Sequence, residues 1–183
     1  MSGIAVDTVT DTIYAAIRYS MGGREGLFII PDPSNSFGIN IDDDSFNNNS
    51  LTNGTKFIPL CDTGPEQVLV DDRTNTIYAS LEYDNFIAVT NRSTKTIDER
   101  IILQEPRAMS INPFNRLLYV ASGDNHWFNV IDTSTNKVIA TNTQIACPIA
   151  SAVDTNTGRV FVADCHSCNN YSFTNGTSIY DQY

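Results

Sequence analysis

Short apolar runs with period-two alternation fill most of this chain, and polar turns rich in Asn, Asp, Thr and Ser separate them. That pattern predicts half-buried β-strands joined by tight turns. The clearest stretch predicts strands at AMSIN (Ala108–Asn112), LLYVAS (Leu117–Ser122), WFNVIDT (Trp127–Thr133) and KVIATNTQI (Lys137–Ile145). Between the first two, PFNR carries Pro and Asn where turns need them. QVLVD, TIYASL, NFIAVTN and TIDERIIL repeat the order upstream. GIAVD, TIYAAI, GLFIIPD and TKFIPL begin the chain, and ASAVD, RVFVAD and TSIYDQY end it.

One signature recurs in all four groups. An acidic or amide residue precedes a polar turn, and an aromatic follows seven positions on: Asp7 and Tyr14, Asp71 and Tyr78, Asn112 and Tyr119, Asp154 and Phe161. The later copies lie about forty residues apart, the spacing of β-propeller blades built from four antiparallel strands. The predicted fold class is therefore all-β, one propeller domain or fragment over 1–183. Its blades fall at 3–64, 65–105, 106–147 and 148–183, with a surface insertion at 32–54 in the first. The last blade lacks an outer strand, so the chain is read as an arc of a larger propeller, a piece of a longer chain. A four-bladed ring, or two chains completing each other, are the alternatives. An open last blade also predicts self-association through its edge.

These residues resemble the YVTN β-propeller repeat family. Leu117–Thr141 carries the resemblance best, with Tyr119-Val120-Ala121-Ser122 at the position of the name-giving tetrapeptide. The other copies carry TIYAA, TIYAS and Phe161-Val162-Ala163-Asp164 there. The resemblance implies a secreted or surface-attached archaeal or bacterial repeat protein that acts as a binding or structural scaffold, its partner a protein or carbohydrate. A cytoplasmic location is the alternative.

Charge narrows the partners. Eleven Lys and Arg against 21 Asp and Glu give a net charge of −10, which argues against nucleic acid and anionic membrane surfaces. No apolar run approaches a membrane span. Hydrophobic residues at 41% exclude a wholly disordered chain.

Candidate chemistry is sparse. In an unbroken ladder from Val153 opposite Val160, Cys147 falls opposite His166, beside Cys165 and Cys168. The leading reading is a disulfide from Cys147 to Cys165 or Cys168 in an oxidising compartment. A zinc site of Cys147, Cys165, His166 and Cys168 is the alternative, and a redox role for the same rim is a third. Cys61 is left over. Asn40, Asp42 and Asp44 alternate like the first ligands of a calcium loop, but Ser45 and Leu51 break the pattern, so a solvated acidic loop is preferred to weak calcium binding. Sequons at Asn48, Asn53, Asn91, Asn170 and Asn175 permit surface glycosylation.

His126 and His166 are the only histidines and Trp127 the only tryptophan, which excludes multi-histidine copper and quinoprotein propellers. Asp7, Asp71 and Asp154 recur at one turn position and are read as turn caps, and the repeated aromatics as packing between blades. No catalytic residue is assigned. A central-pocket enzyme of the lactonase or lyase type is the runner-up; Glu66, Glu105 and Arg107 are the charges noted near such a pocket. The loops 18–26 and 165–176 lie on one face and exceed their counterparts in length. Arg18, Tyr19, Arg24, His166 and Tyr171 are therefore the candidate ligand contacts.

Overall fold

The computed structural model describes residues 3–18, 25–31, 55–60, 64–123 and 125–164, and the backbone of 176–180. These residues form four antiparallel sheets. The first holds β1 (Gly3–Asp7), β2 (Thr12–Ile17), β3 (Gly26–Pro31) and β4 (Lys56–Pro59). The second holds β5 (Gln67–Asp71), β6 (Thr76–Leu81), β7 (Phe86–Asn91) and β8 (Thr96–Ile102). The third holds β9 (Met109–Asn112), β10 (Leu117–Ser122), β11 (Trp127–Asp132) and β12 (Lys137–Asn142). The fourth has β13 (Pro148–Val153), β14 (Val160–Asp164) and β15 (Gly176–Tyr180), three strands among the described residues. Strands are ordered as in the sequence within every sheet, so each is a meander. The fold is all-β and made of propeller blades in a partial arrangement.

One turn design makes the hairpins. Asp7 Oδ1 accepts from the amides of Val9 and Thr10 at 2.9 and 3.2 Å. Asp71 Oδ1 accepts from Arg73 N–H at 3.0 Å, Asn112 Oδ1 from Phe114 N–H at 3.1 Å, and Asp154 Oδ1 from Asn156 N–H at 2.9 Å. The outer hairpins use the same device at Asn91 and Asp132. Four positions after each of these caps the backbone turns left-handed: Asp11, Asn75, Lys95, Arg116, Asn136 and Gly158 have φ of 49°, 58°, 57°, 61°, 54° and 75°. The cap replaces strand pairing for the turn amides, and the left-handed residue returns the chain to the ladder. The recurring acids are thus turn caps.

Both faces of a blade are apolar, and neighbours cover them. Tyr14, Leu27 and Ile29 of the first blade interlock with Val68, Ile77 and Leu81 of the second. Tyr78, Ile87 and Val89 meet Met109, Leu118 and Val120 of the third. Tyr119, Phe128 and Val130 meet Val160 and Val162 of the fourth. β1 packs on β5, β5 on β9 and β9 on β13, so the innermost strands stand side by side. The approach is close at β1: a Cβ on Gly3 would lie 2.9 Å from Gln67 Cα, which backbone cannot yield.

Two expectations need correction. Tyr14, Tyr78 and Tyr119 are buried, but Phe161 is 37% exposed, because no described blade covers its face. The β13–β14 ladder does not run unbroken: Val153 pairs with Val160 as expected, then a bulge at Ile149 puts Pro148 opposite Asp164. The extrapolation that set Cys147 opposite His166 therefore fails by one residue.

Two predictions test the turns. Arg116 is exposed and strained by its positive φ, so Arg116→Gly should stabilise the fold by about 1 kcal/mol, raising the thermal midpoint by about 2–4 °C. An unchanged or lower midpoint would show that the left-handed position carries no strain. The second concerns acid. Hydrogen bonds from the Thr157 hydroxyl and the Asn156 amide hold the Asp154 carboxyl below its usual pKa. A depressed folded pKa stabilises the fold above the unfolded value near pH 4 and is lost as pH falls through the folded value. Asp154→Asn keeps an amide-oxygen cap, as Asn112 does, and should flatten the acid limb of a stability–pH curve. An acid limb as steep as the parent's would remove Asp154 from acid unfolding.

Candidate functional site

The repeat places side chains around the inner strands in a fixed order. Four positions after the repeated aromatic the second strand ends, and the residues there are Arg18, Glu82 and Gly123 in successive blades. Five positions before the turn cap stand Glu66 and Arg107 in the second and third blades. Blade packing sets each strand-end residue against the lead-in of the next blade, and charges of opposite sign meet there.

Arg18 Nη1 pairs with the Glu66 carboxylate and lies 3.5 Å from Glu82 Oε2. Arg107 Nε donates to Glu82 Oε1. The result is a ladder of alternating charge, Glu66, Arg18, Glu82, Arg107, across three blades. Glu82 is buried between two guanidinium groups, so its carboxylate is desolvated but held by charge-assisted hydrogen bonds on both oxygens. The ladder stops at Gly123. A Cβ there would lie 3.2 Å from Arg107 Nη1 and 3.3 Å from the Pro148 carbonyl, so glycine leaves room for the guanidinium.

Backbone groups are drawn into the same network. Ser80 Oγ donates to the Arg107 carbonyl at 2.6 Å and accepts from Gln67 N–H at 3.2 Å. The Gln67 side-chain carbonyl accepts from Met109 N–H. Ser110 and Ser151 hydroxyls meet at 2.9 Å between the third and fourth blades.

The ladder lines a cleft of about 600 Å³ whose walls come from all four blades, from Gly3 on one side to Ile149–Ser151 on the other. Tyr83 stands at its margin, 56% exposed, with the Arg18 guanidinium 4.5 Å from its ring centroid. The cation braces the ring from one face and leaves the other face to solvent.

Of the predicted ligand contacts, Arg18 lies in this cleft, bound to Glu66 and Glu82. Tyr19, Arg24, His166 and Tyr171 lie outside the described residues. Glu66 and Arg107 join the cleft as the loop reading suggested, whereas Glu105 is turned away and accepts from Asn125 Nδ2 at 2.6 Å. Glu82 and Tyr83 were missed because they sit in a short loop. Aligning the copies on the aromatic would have shown Glu82 at the Arg18 position, diagonal to Arg107.

The other candidates fall mostly on undescribed residues. Cys147 is buried, and its N–H donates to Asp164 Oδ1 at 2.9 Å. Cys165, His166 and Cys168, on which the disulfide and zinc readings turn, lie outside the described residues, as does Cys61. So do Asn40, Asp42 and Asp44 of the calcium reading, and the sequons at Asn48, Asn53, Asn170 and Asn175. Asn91 ends β7, and its side-chain oxygen caps the Ser93 and Thr94 amides at 2.9 and 3.1 Å. Among the described residues no three His, Cys, Asp or Glu side chains are grouped to hold a metal ion, and no helix is long and apolar enough to cross a membrane.

No protein family matches the sequence, and no curated protein does. Solved structures do match. One is the chain titled Kuenenia stuttgartiensis Hydrazine Synthase, with a TM-score of 0.56 and 15% identity over 64% of this chain. The match spans 32% of that chain, about a third of its length. At this identity the likeness shows the fold alone.

The ladder predicts unequal effects along its length. Glu82→Ala leaves Arg107 and part of Arg18 without a counter-charge, and should cost about 2–3 kcal/mol. Glu66→Ala, at the end where the carboxylate is a third exposed, should cost about 1 kcal/mol or less. Urea denaturation of the two variants checks the order; equal losses would refute a ladder centred on Glu82.

Proposed function

We propose that the chain is a non-catalytic, propeller-type binding module of the YVTN kind, secreted or displayed at a cell surface. Its binding surface is the cleft margin around Tyr83. The exposed, cation-braced Tyr83 ring carries this reading. An aromatic that is rigid, half in solvent and set over a polar cleft offers apolar area at little entropic cost, as binding surfaces do. The charged groups below support it, because each is engaged by its neighbour. A buried carboxylate gripped by two guanidinium groups serves as a structural strut. The YVTN resemblance of Leu117–Thr141 supports a surface scaffold, and the sequons suit an extracellular site. The ligand class that suits a stacking platform beside mutually neutralised charge is a neutral oligosaccharide or an uncharged peptide.

Thermal-shift and chemical-shift screening with neutral oligosaccharides and short peptides tests this. A hit should weaken by about tenfold in Tyr83→Ala, the loss of one good aromatic contact. A hit unaffected by Tyr83→Ala moves the site elsewhere. Turnover of lactones or uronate polymers that disappears in Glu82→Gln would replace the reading with the central-pocket enzyme.

A further inference from the structure

We infer that the cleft takes an N-acylated sugar, with its ring on Tyr83 and its acylamino group between Gln67 and Glu66. The inference rests on the reading of Tyr83 as a stacking platform and adds what the cleft wall selects.

Gln67 opens β5 and is held at three points. Its N–H donates to Ser80 Oγ at 3.2 Å. Its Cα is backed so closely by the first blade that a Cβ on Gly3 would come within 2.9 Å of it. Its side-chain carbonyl accepts from Met109 N–H. A backbone N–H can only donate, so this bond fixes which end of the Gln67 amide meets Met109. The Nε2 end is left with two N–H donors that have no acceptor among the described residues, and Gln67 lines the cleft.

Glu66, the residue before, lines the same cleft. Its Oε2 pairs with Arg18, its side chain is 34% exposed, and Oε1 has no hydrogen-bond partner among the described residues. Gln67 reaches toward the third blade and Glu66 toward the first. A fixed donor and a fixed acceptor therefore flank the head of β5 on opposite sides. A trans secondary amide presents its C=O and N–H in opposite directions, and so fits between them.

The guanidinium that meets Glu66 also lies 4.5 Å from the Tyr83 ring centroid, so acceptor and platform flank one side chain. A pyranose ring laid on the open face of Tyr83 sets its apolar C–H face against the aromatic, with its acylamino substituent toward Glu66 and Gln67. Ala108 in the same wall offers apolar surface for the acyl methyl. A peptide fits less well, because it brings an amide at every residue. The other polar groups of the cleft are engaged with one another: Glu82 with Arg18 and Arg107, Ser80 with the Arg107 carbonyl, Ser110 with Ser151. Further amides would enter without partners, whereas sugar hydroxyls stay at the wet margin.

Tri-N-acetylchitotriose and cellotriose are the test pair, since each ring differs only by acetamido against hydroxyl. Isothermal titration of the parent should show the acetamido sugar binding about tenfold tighter, the loss expected for unmade hydrogen bonds. Gln67→Glu keeps an oxygen for Met109 N–H and sets an oxygen in place of the Nε2 donor. It should bring the two sugars to equal affinity, with an unchanged thermal midpoint showing the fold intact. Equal affinities in the parent overturn the inference without any variant, and so does a preference that survives Gln67→Glu. If Tyr83→Ala weakens both sugars in either case, the platform reading stands alone. A preference that Gln67→Glu abolishes and Tyr83→Ala leaves untouched overturns the platform and keeps the amide contacts. Failure of both sugars to bind at millimolar concentration overturns the inference, and a peptide bound through Tyr83 would then be the ligand of the platform.

Discussion

A blade of this protein is apolar on both faces, and from that everything else follows. A sheet with one wet face can stand against a single partner. A sheet with two dry faces needs a neighbour on each side, and the only surface of matching shape is another blade. Stability is therefore held in nearest-neighbour junctions, as in other repeat architectures. The aromatic at the centre of β2, β6 and β10 is buried in each of the three junctions, which explains its return in the first three copies. The turns serve the same end. Each Asx cap and left-handed residue closes a hairpin without a bulky loop, so strands stay short and blades stack at a regular interval.

Polar groups enter where the junctions reach the axis. There the inner strands converge, Gly3 lies against Gln67, and the cleft opens between the blades. The charges of Arg18, Glu66, Glu82 and Arg107 line it, each compensated by a neighbouring blade. Buried ion pairs add little net stability over apolar packing, but a mismatched neighbour would leave a charge uncompensated. The ladder thus works as a register: the second blade accepts the first and third only in the order that alternates sign. Arg18, held in the ladder, also braces the Tyr83 ring at the cleft margin.

Much of the fold was legible in the sequence, because strand alternation and turn chemistry are local. The strands appear where the runs predicted, within a residue or two, except where an end was read too long, as at Lys137–Ile145, whose strand stops at Asn142. The axial site was less legible, since it depends on which copies meet. Arg18, Glu66 and Arg107 could be noticed singly. Their pairing needed the diagonal offset between one blade's strand end and the next blade's lead-in. Glu82 was hidden by its short loop, although its position in the repeat equals that of Arg18. The bulge at Ile149 had no signal in the sequence; it adjoins the Asp164 side chain that accepts from the Cys147 amide.

The junctions are not equal, and the inequality has a direction. The first and second are crossed by both apolar packing and the ion-pair ladder. At the third the ladder has ended. Gly123 holds the place of Arg18 and Glu82, and one hydroxyl pair, Ser110 with Ser151, crosses near the axis instead. A groove of about 230 Å³ lined by Phe128, Val130, Ala140 and Val160 runs along it. A nearest-neighbour chain opens first at its weakest link. Among the described residues the third junction is therefore the one with the fewest polar ties across it. Phe161 on the same blade is 37% exposed, so its ring adds less apolar burial to the fold than Tyr14, Tyr78 or Tyr119 does.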